Sequence, residues 1–468
     1  MTRRLVMKFG GTSVGNAAAI QQVIAIVQAT LLDWPQTVVV VSAMSGVTNA
    51  LLKGAHTAAA GDAATFPQLA EQLRTQHHTA IDALLCDTHE IDAVRERVAT
   101  HIHEFETLCH AVHVLGEASP RALDAISSLG ERMSMHLVAA ALREAGVAAQ
   151  AVRATELIRT DDVFQSASPD MAASQQLSEA VLGPLLADRV VPVVTGFIGS
   201  TANGTLTTLG RGGSDFTAGI LGAVLNATEV WIWTDVNGVM TADPRVVPDA
   251  RTLPTVAFRE VSEMAYFGAK VLHPKTVRPV VEKNIPLRIK NTFQPDHPGT
   301  LVVTEGQPNG TTIKCVTAIK NQTLITVEGR GMIGVPGIAA RTFSAVARTG
   351  SSVILISQAS SEQSICFSID SAATDKVIAS LNDEFRLELH RRDIDRVWAK
   401  PGVDIITVVG IGMQHTPGVA GRIFSALGSQ QINVIAIAQG SSECSISLMV
   451  TSSDSDAAVR AIHALIVE

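Results

Sequence analysis

Short apolar runs that stop at glycine or small-residue loops recur through the first half of the chain. Leu5-Val6-Met7 passes through Lys8 and Phe9 and ends at Gly10-Gly11-Thr12-Ser13-Val14. Such a run reads as a strand, and Ala17 to Gln28 then carries apolar residues at helical spacing. Thr12 or Ser13 is expected to cap that helix. Thr37 to Val41 is a β-branched run, hence a second buried strand, and it feeds Ser42-Ala43-Met44-Ser45-Gly46-Val47-Thr48-Asn49 ahead of another helix. Two successive strand, small loop and helix units predict a parallel, doubly wound sheet with ligands at the carboxyl ends of its strands. Ala55 to Ala149 reads as mostly helical, with one helix opening at Gly130-Glu131-Arg132-Met133-Ser134. Val190 to Thr195, Glu229 to Thr234 and Pro286 to Ile289 are further strands, and Val261 to Val271 is helical. Asn291 to Gly310, rich in Pro, Gly and Asn, reads as the boundary of the first domain.

The remainder contains a duplication. Gly331 to Ile369 aligns without gaps on Gly412 to Val450, an offset of 81 (412 − 331). Pro336-Gly337 matches Pro417-Gly418, Arg341 and Phe343 match Arg422 and Phe424, and the string from Gln358 to Glu362 matches that from Gln439 to Glu443. Each copy reads turn, helix, strand, turn, strand. Two copies suit a pair of small α+β modules better than a solenoid. Gln358 and Gln439 fall at strand ends, where an amide can read a small polar ligand or simply bond its own turn.

Length and charge narrow the setting. At 468 residues the chain has room for two to four domains. A net charge of −8 argues against a general nucleic-acid binder. The cysteines, Cys86, Cys109, Cys315, Cys366 and Cys444, are odd in number, scattered and without metal-knuckle spacing, so a reducing, cytoplasmic setting is expected. The N-terminus lacks a signal-peptide apolar region, and no apolar run is long enough to span a membrane.

Three stretches carry candidate chemistry. At the first, backbone N–H groups of a glycine turn and a helix N-terminus face incoming negative charge, with Lys8 beside them. The lysine precedes the glycines, so this is not the P-loop order. At Gly210-Arg211-Gly212-Gly213-Ser214-Asp215, glycines flank one arginine, which suits bidentate capture of a carboxylate or phosphate. At the third, Asp235 sits at a strand's carboxyl end, with Asp243-Pro244-Arg245 beyond it. His103, Glu106, His110 and His113 share one helix face, which reads as a solvated or packed face ahead of a metal site.

Taken in order, Lys-Phe-Gly-Gly-Thr-Ser at 8–13, Gly-Arg-Gly-Gly-Ser-Asp at 210–215, Trp-Thr-Asp-Val-Asn-Gly at 233–238, Asp-Pro-Arg at 243–245 and Phe-Gly-Ala-Lys-Val-Leu-His-Pro at 267–274 resemble aspartate kinase over essentially the whole chain. The repeat resembles that family's paired ACT modules. Its glutamine strings are most similar to the threonine-sensitive kinase half of bifunctional aspartokinase–homoserine dehydrogenases. No dehydrogenase half is present, which fits a monofunctional enzyme or a piece of a longer one.

The resemblance implies an amino-acid-kinase fold, a three-layer α/β/α sandwich with a mainly parallel sheet, followed by two α+β ACT modules. It places a catalytic domain at 1–295, a linker with the first regulatory strand at 296–318, and the modules at 319–398 and 399–468. It implies transfer of the γ-phosphoryl group of ATP, with Mg²⁺, to the β-carboxylate of L-aspartate, the first step towards lysine, threonine and methionine. Lys8, with Gly10 and Gly11 around it, would contact the transferring phosphoryl, and Asp215, like Asp235, would orient either Lys8 or the nucleotide and its metal shell. Thr48, Glu131, Arg211, Gly212, Gly213 and Ser214 would hold aspartate. Thr234, Asp235, Arg245, Lys270 and Val271 would line the nucleotide pocket, as would Met240, where relatives often carry tyrosine. Threonine or lysine would act at Gln358 and Gln439. A homodimer or homotetramer would form through the modules, with one module inserted in the other, so the strand near Lys314 to Lys320 would pair with the last one. Another amino-acid kinase, acting on glutamate or acetylglutamate, and a catalytically silent amino-acid sensor are the competing readings.

Overall fold

In the computed structural model the described residues are 3–268, 272, 274–304, 312–332, 334–358, 363–440 and 444–467. The chain divides into two compact units. The first comprises residues 1–239, 252–258 and 271–305, and the second 240–251, 259–270 and 306–468.

The first unit is built on an eight-stranded sheet. Its strands in spatial order are Thr255–Ala257, Thr300–Val303, Leu287–Asn291, Glu229–Thr234, Arg4–Phe9, Gln36–Val41, Val191–Thr195 and Ala149–Val152. All neighbours are parallel except Leu287–Asn291 with Thr300–Val303. Arg4–Phe9 is buried beyond its first residue because helices cover both faces, which is why it reads as an apolar run with no alternation. The predicted helical region resolves into Val47–Ala59, Thr65–Leu84, Thr88–Leu115, Pro120–Ser127 and Leu129–Glu144. A second, four-stranded sheet joins Pro169–Asp170, Arg159–Thr160, Ile198–Ser200 and Leu206–Thr208.

Two local expectations are corrected. The helix Ala17–Leu31 is capped by Asn16, whose side chain accepts from the Ala19 N–H. Thr12 and Ser13 instead lie in the tight turn after Gly10, and the Ser13 hydroxyl bonds that of Thr292 at 2.6 Å. The stretch read as a loop-rich boundary holds Thr300–Val303, a strand of the large sheet, hidden in sequence by the Pro, Gly and Asn around it.

In the second unit the duplication is visible element by element. The strands Cys315–Glu328 and Arg396–Val409, the helices Ile338–Arg348 and Val419–Ser429, and the strand pairs Leu355–Gln358 with Ser364–Asp370 and Ala436–Gln439 with Ser445–Thr451 repeat at the same offset of 81. Each of the two helices starts after a left-handed glycine, Gly337 or Gly418, at φ 91° and 86°. All these strands form one six-stranded antiparallel sheet in which Cys315–Glu328 and Arg396–Val409 are central neighbours. The first half of Cys315–Glu328 pairs with Ile405 to Val409, which also pair with Ser445–Thr451, so this strand does run into the last module. The Met240–Arg251 and Arg259–Lys270 segments belong to this unit. Glu260 explains part of that placement: it is fully buried and accepts from Lys314 Nζ at 2.9 Å and from the Ile411 N–H at 2.8 Å. Among the described residues no helix is long and apolar enough to cross a membrane.

Candidate active site

The sheet hydrogen bonding continues one residue past several strand ends. Gly10 N–H donates to the Trp233 carbonyl, Ser42 N–H to Phe9, Gly196 N–H to Val41 and Thr292 N–H to Thr234, at 2.8 to 3.1 Å. The loops that leave the carboxyl edge therefore start in fixed register. Phe9 and Trp233 stack at 5.9 Å beneath this edge.

Lys8 is the penultimate residue of the central strand and is only 8 % exposed. Its ammonium lies 2.6 Å from Asp215 Oδ1, a charge contact whose angles fall outside those of a hydrogen bond. A Cβ at Gly10 would stand 3.5 Å from the Lys8 Nζ, an ordinary contact distance, so Gly10 lies directly against the ammonium. Gly11 passes close to the Ala43 carbonyl, where a Cβ would sit at 3.1 Å. Gly11 thus serves close approach between two strand-end loops. The following helix begins only at Ala17, so its N-terminus does not open on the glycine turn.

Two other helices do start directly after a glycine. Val47–Ala59 follows Gly46 and Gly213–Val224 follows Gly212, both glycines left-handed at φ 82° and 72°, and neither helix has a side-chain cap. Their first-turn N–H groups are available to an anion. Thr48 is in the first turn of one; Ser214 and Asp215 are in the first turn of the other. Gly196 lets Ser214 approach, since a Cβ there would meet Ser214 at 2.6 Å. Arg211 is exposed, immediately before Gly212, and has no ion-pair partner among the described residues.

Glu131 is in the first turn of Leu129–Glu144 and 4 % exposed. Gly130 allows this, because a Cβ there would collide with Ala43 at 2.7 Å. Ser134 Oγ donates to the Ser42 carbonyl at 2.7 Å and ties the same helix to the same loop. Burial pushes the Glu131 carboxyl up to about 8, against the opposing pull of the Glu131 and Ala43 N–H groups and the Lys8 charge. Its Oε2 is buried with no hydrogen-bond partner. A buried carboxyl oxygen with no partner in the protein is free to accept from a donor group of a ligand.

Thr234 ends its strand and donates to Asp235 Oδ1 at 3.2 Å, leaving an exposed carboxylate at the sheet edge. Met240 and Arg245 lie in the second unit, where Arg245 is paired with Asp243 at 2.6 Å. Lys270 and Val271 lie outside the described residues. Gln358 and Gln439 are the exposed last residues of equivalent strands, and Gln439 lines a cavity of about 340 Å³ with Met413, His415, Thr416, Val419 and Ile446. Among the described residues no three His, Cys, Asp or Glu side chains converge as a metal set. Asp124, buried on the short helix Pro120–Ser127, carries no motif that marks it in the sequence. An acid on the inner face of a short helix was the only available signal.

Residues 3–291 match the amino acid kinase family, and residues 325–385 and 406–465 match the ACT domain. The chain is 38 % identical over 464 residues to bifunctional aspartokinase/homoserine dehydrogenase 1 of Arabidopsis thaliana, covering 98 % of this chain and 50 % of that protein. The chain spans about half the length of such bifunctional relatives. It is 34 % identical to the chloroplastic aspartokinase 3 of Arabidopsis thaliana, covering 99 % of this chain and 81 % of that one. The crystal structure of E. coli aspartokinase III in complex with aspartate and ADP superposes with a TM-score of 0.82 at 32 % identity, covering 99 % and 100 % of the two chains. The same enzyme in complex with lysine and aspartate gives 0.80 at 33 % identity, covering 99 % and 100 %. With an amino acid kinase region that fills more than half of its length and an ACT pair behind it, the chain belongs to the aspartokinase family.

Proposed function

We propose that this protein transfers the γ-phosphoryl group of ATP to the β-carboxylate of L-aspartate, giving 4-phospho-L-aspartate and ADP. The observation that carries the reading is the meeting of Lys8, Asp215 and the unsatisfied Glu131 carboxyl at the carboxyl edge of the sheet. The relative solved with aspartate and ADP supports it. A substrate carboxylate is ionised at neutral pH, from an ordinary pKa near ~4, so no general base is needed. The obstacle is the approach of one anion to another. Lys8 and the open helix starts offset that repulsion and hold the two reactants in line.

Glu131 receives the aspartate ammonium. Arg211 receives the α-carboxylate, with the Gly212 to Ser214 backbone and Thr48 around it. Asp215 keeps Lys8 from swinging away. Asp235, exposed at the strand end, is of the oxygen-donor type that suits Mg²⁺ carried in with the nucleotide. Mg²⁺, when bound, neutralises phosphate charge. In the first unit, Thr234 stands beside Asp235 on the nucleotide side of the site. The kinase domain is followed by two ACT modules, through which a homodimer or homotetramer forms.

A coupled ADP-release assay across aspartate, glutamate and acetylglutamate tests the activity; ADP release without aspartate preference would reject it. Arg211→Ala is expected to raise the aspartate KM about 100-fold, the worth of a lost charge-assisted contact of roughly 3 kcal/mol. An unchanged KM would remove Arg211 from the substrate site.

The reading extends to feedback control. Threonine or lysine binds at Gln358 and Gln439 and inhibits by favouring one of two conformations, which requires unequal affinity for them. The cavity beside Gln439 supports this, as does the relative solved with lysine. Titrating each amino acid into the kinase assay should show inhibition by one of them, with the midpoint moved at least about tenfold by Gln439→Ala, a change of ~1.4 kcal/mol. Indifference to both amino acids would end the sensor assignment.

A further inference from the structure

Asp124 lies on the short helix Pro120–Ser127, one residue ahead of the helix that carries Glu131, and is 1 % exposed. Three donors converge on its carboxylate. The Gln165 N–H is shared between both oxygens at 3.0 and 3.1 Å, the Thr208 N–H meets Oδ2 at 2.8 Å, and the Thr208 hydroxyl meets Oδ1 at 2.7 Å. No cation pairs with it among the described residues. A carboxylate buried in this way is tolerated only because these donors are directed at it.

The donors come from two separate stretches that meet at the arginine loop. Thr208 ends the strand Leu206–Thr208, directly before Leu209-Gly210-Arg211. Gln165 is left-handed at φ 67°, an unfavourable state for a residue with a side chain, and its carbonyl would lie 2.8 Å from a Cβ at Gly210. The Ala167 N–H donates to the Thr208 carbonyl at 3.0 Å, closing the same junction. One carboxylate therefore joins the short helix that leads through Ser128 into the Glu131 helix to both walls of the Arg211 loop.

We propose that Asp124 is a positioning residue for the amino-acid substrate: it sets the separation between the ammonium receiver, Glu131, and the α-carboxylate receiver, Arg211. This rests on the roles given to those two residues above. Asp124 touches no reacting atom. It acts through Arg211, so its loss should be felt only where Arg211 is present to be misplaced.

The test is a double-mutant cycle in the full chain, read as the aspartate KM. Asp124→Asn keeps the shape but turns an N–H donor towards backbone donors. It is expected to raise the aspartate KM about 10- to 30-fold, with kcat at saturating aspartate and the ATP KM each within about threefold. In the Arg211→Ala background the same change should move KM by less than about twofold, because the contact it positions is already gone. An equal rise in both backgrounds, or a fall in kcat at unchanged KM, would reduce Asp124 to a stabilising residue and overturn the proposal. If Asp124→Asn does not fold, Thr208→Val removes only the hydroxyl donor and should give a smaller KM rise with the same dependence on Arg211. Wild-type protein inactive on aspartate but active on another amino acid would reject the substrate reading alone, and the cycle then runs with that amino acid. Inactivity of the wild-type protein on every amino acid tested would overturn both.

Discussion

Lys8→Ala lowers turnover by about 1,000-fold or more, roughly 4 kcal/mol of barrier, while the aspartate KM stays within a few-fold. The argument is electrostatic. Negative charge must be met as the phosphoryl group transfers, and Lys8 is a full cation held at the carboxyl edge by a central strand on one side and by Asp215 at 2.6 Å on the other. A cation in a largely water-excluded site acts through a weakly screened field and is already in place when charge moves. Aspartate affinity rests on Glu131 and Arg211 in this scheme, so the loss appears in kcat. The side chains of Lys8 and Asp215 are 11 % and 16 % exposed, so removing the lysine alone also strands a nearly buried carboxylate. That costs about 3 kcal/mol or more of stability. Adding Asp215→Asn relieves the stranded charge. The Lys8→Ala/Asp215→Asn protein should regain melting temperature without regaining turnover. ADP release at the wild-type rate from either variant would remove Lys8 from the chemistry.

Glu131→Gln carries the second large effect, and it is a dependence on pH. Burial holds the Glu131 carboxyl at about 8, so in the absence of substrate it is mostly neutral at pH 7. An ammonium is bound by the carboxylate form, so aspartate binding expels a proton. The aspartate KM should therefore fall close to tenfold per pH unit between about pH 6 and pH 8 and level off above. Glu131→Gln should abolish that slope and raise KM about 100-fold at pH 8, where the wild-type carboxylate is available. The stability consequence has the opposite direction. A folded-state pKa above the unfolded value of 4.5 means stability is fully present below that value and is lost as pH rises through about 8. The loss reaches up to about 5 kcal/mol at the alkaline end. Glu131→Gln should thus match the wild-type protein in urea at pH 5 and exceed it at pH 9. A KM independent of pH in the wild-type protein would show that the carboxyl is not the ammonium receiver.

Much of this molecule is written locally. Strand Arg4–Phe9, strand Glu229–Thr234 and the helix that starts at Ala17 follow from apolar spacing, because burial on two faces or on one stripe leaves a periodic mark. The duplication, with its offset of 81, is a property of the string of letters and survives intact into every paired element of the second unit. The family and the candidate residues around Lys8, Arg211 and Asp235 were legible too, since glycine, lysine and arginine in fixed order need no partner to be noticed.

Contacts distant in sequence decided the rest. Thr300–Val303 is a strand because Leu287–Asn291 offers it an antiparallel edge, not because of its own composition. Asn16 caps where Thr12 and Ser13 were expected to, because the turn after Gly10 directs the Ser13 hydroxyl to Thr292 instead. Met240–Arg251 and Arg259–Lys270 fall in the second unit, and Glu260 finds Lys314 and the Ile411 N–H only there. The protonation of Glu131 and the convergence of Gln165 and Thr208 on Asp124 follow the same rule. A chain announces which groups it carries, but burial and the meeting of remote backbone donors decide what charge those groups hold and where they point, and both are set only when the elements pack.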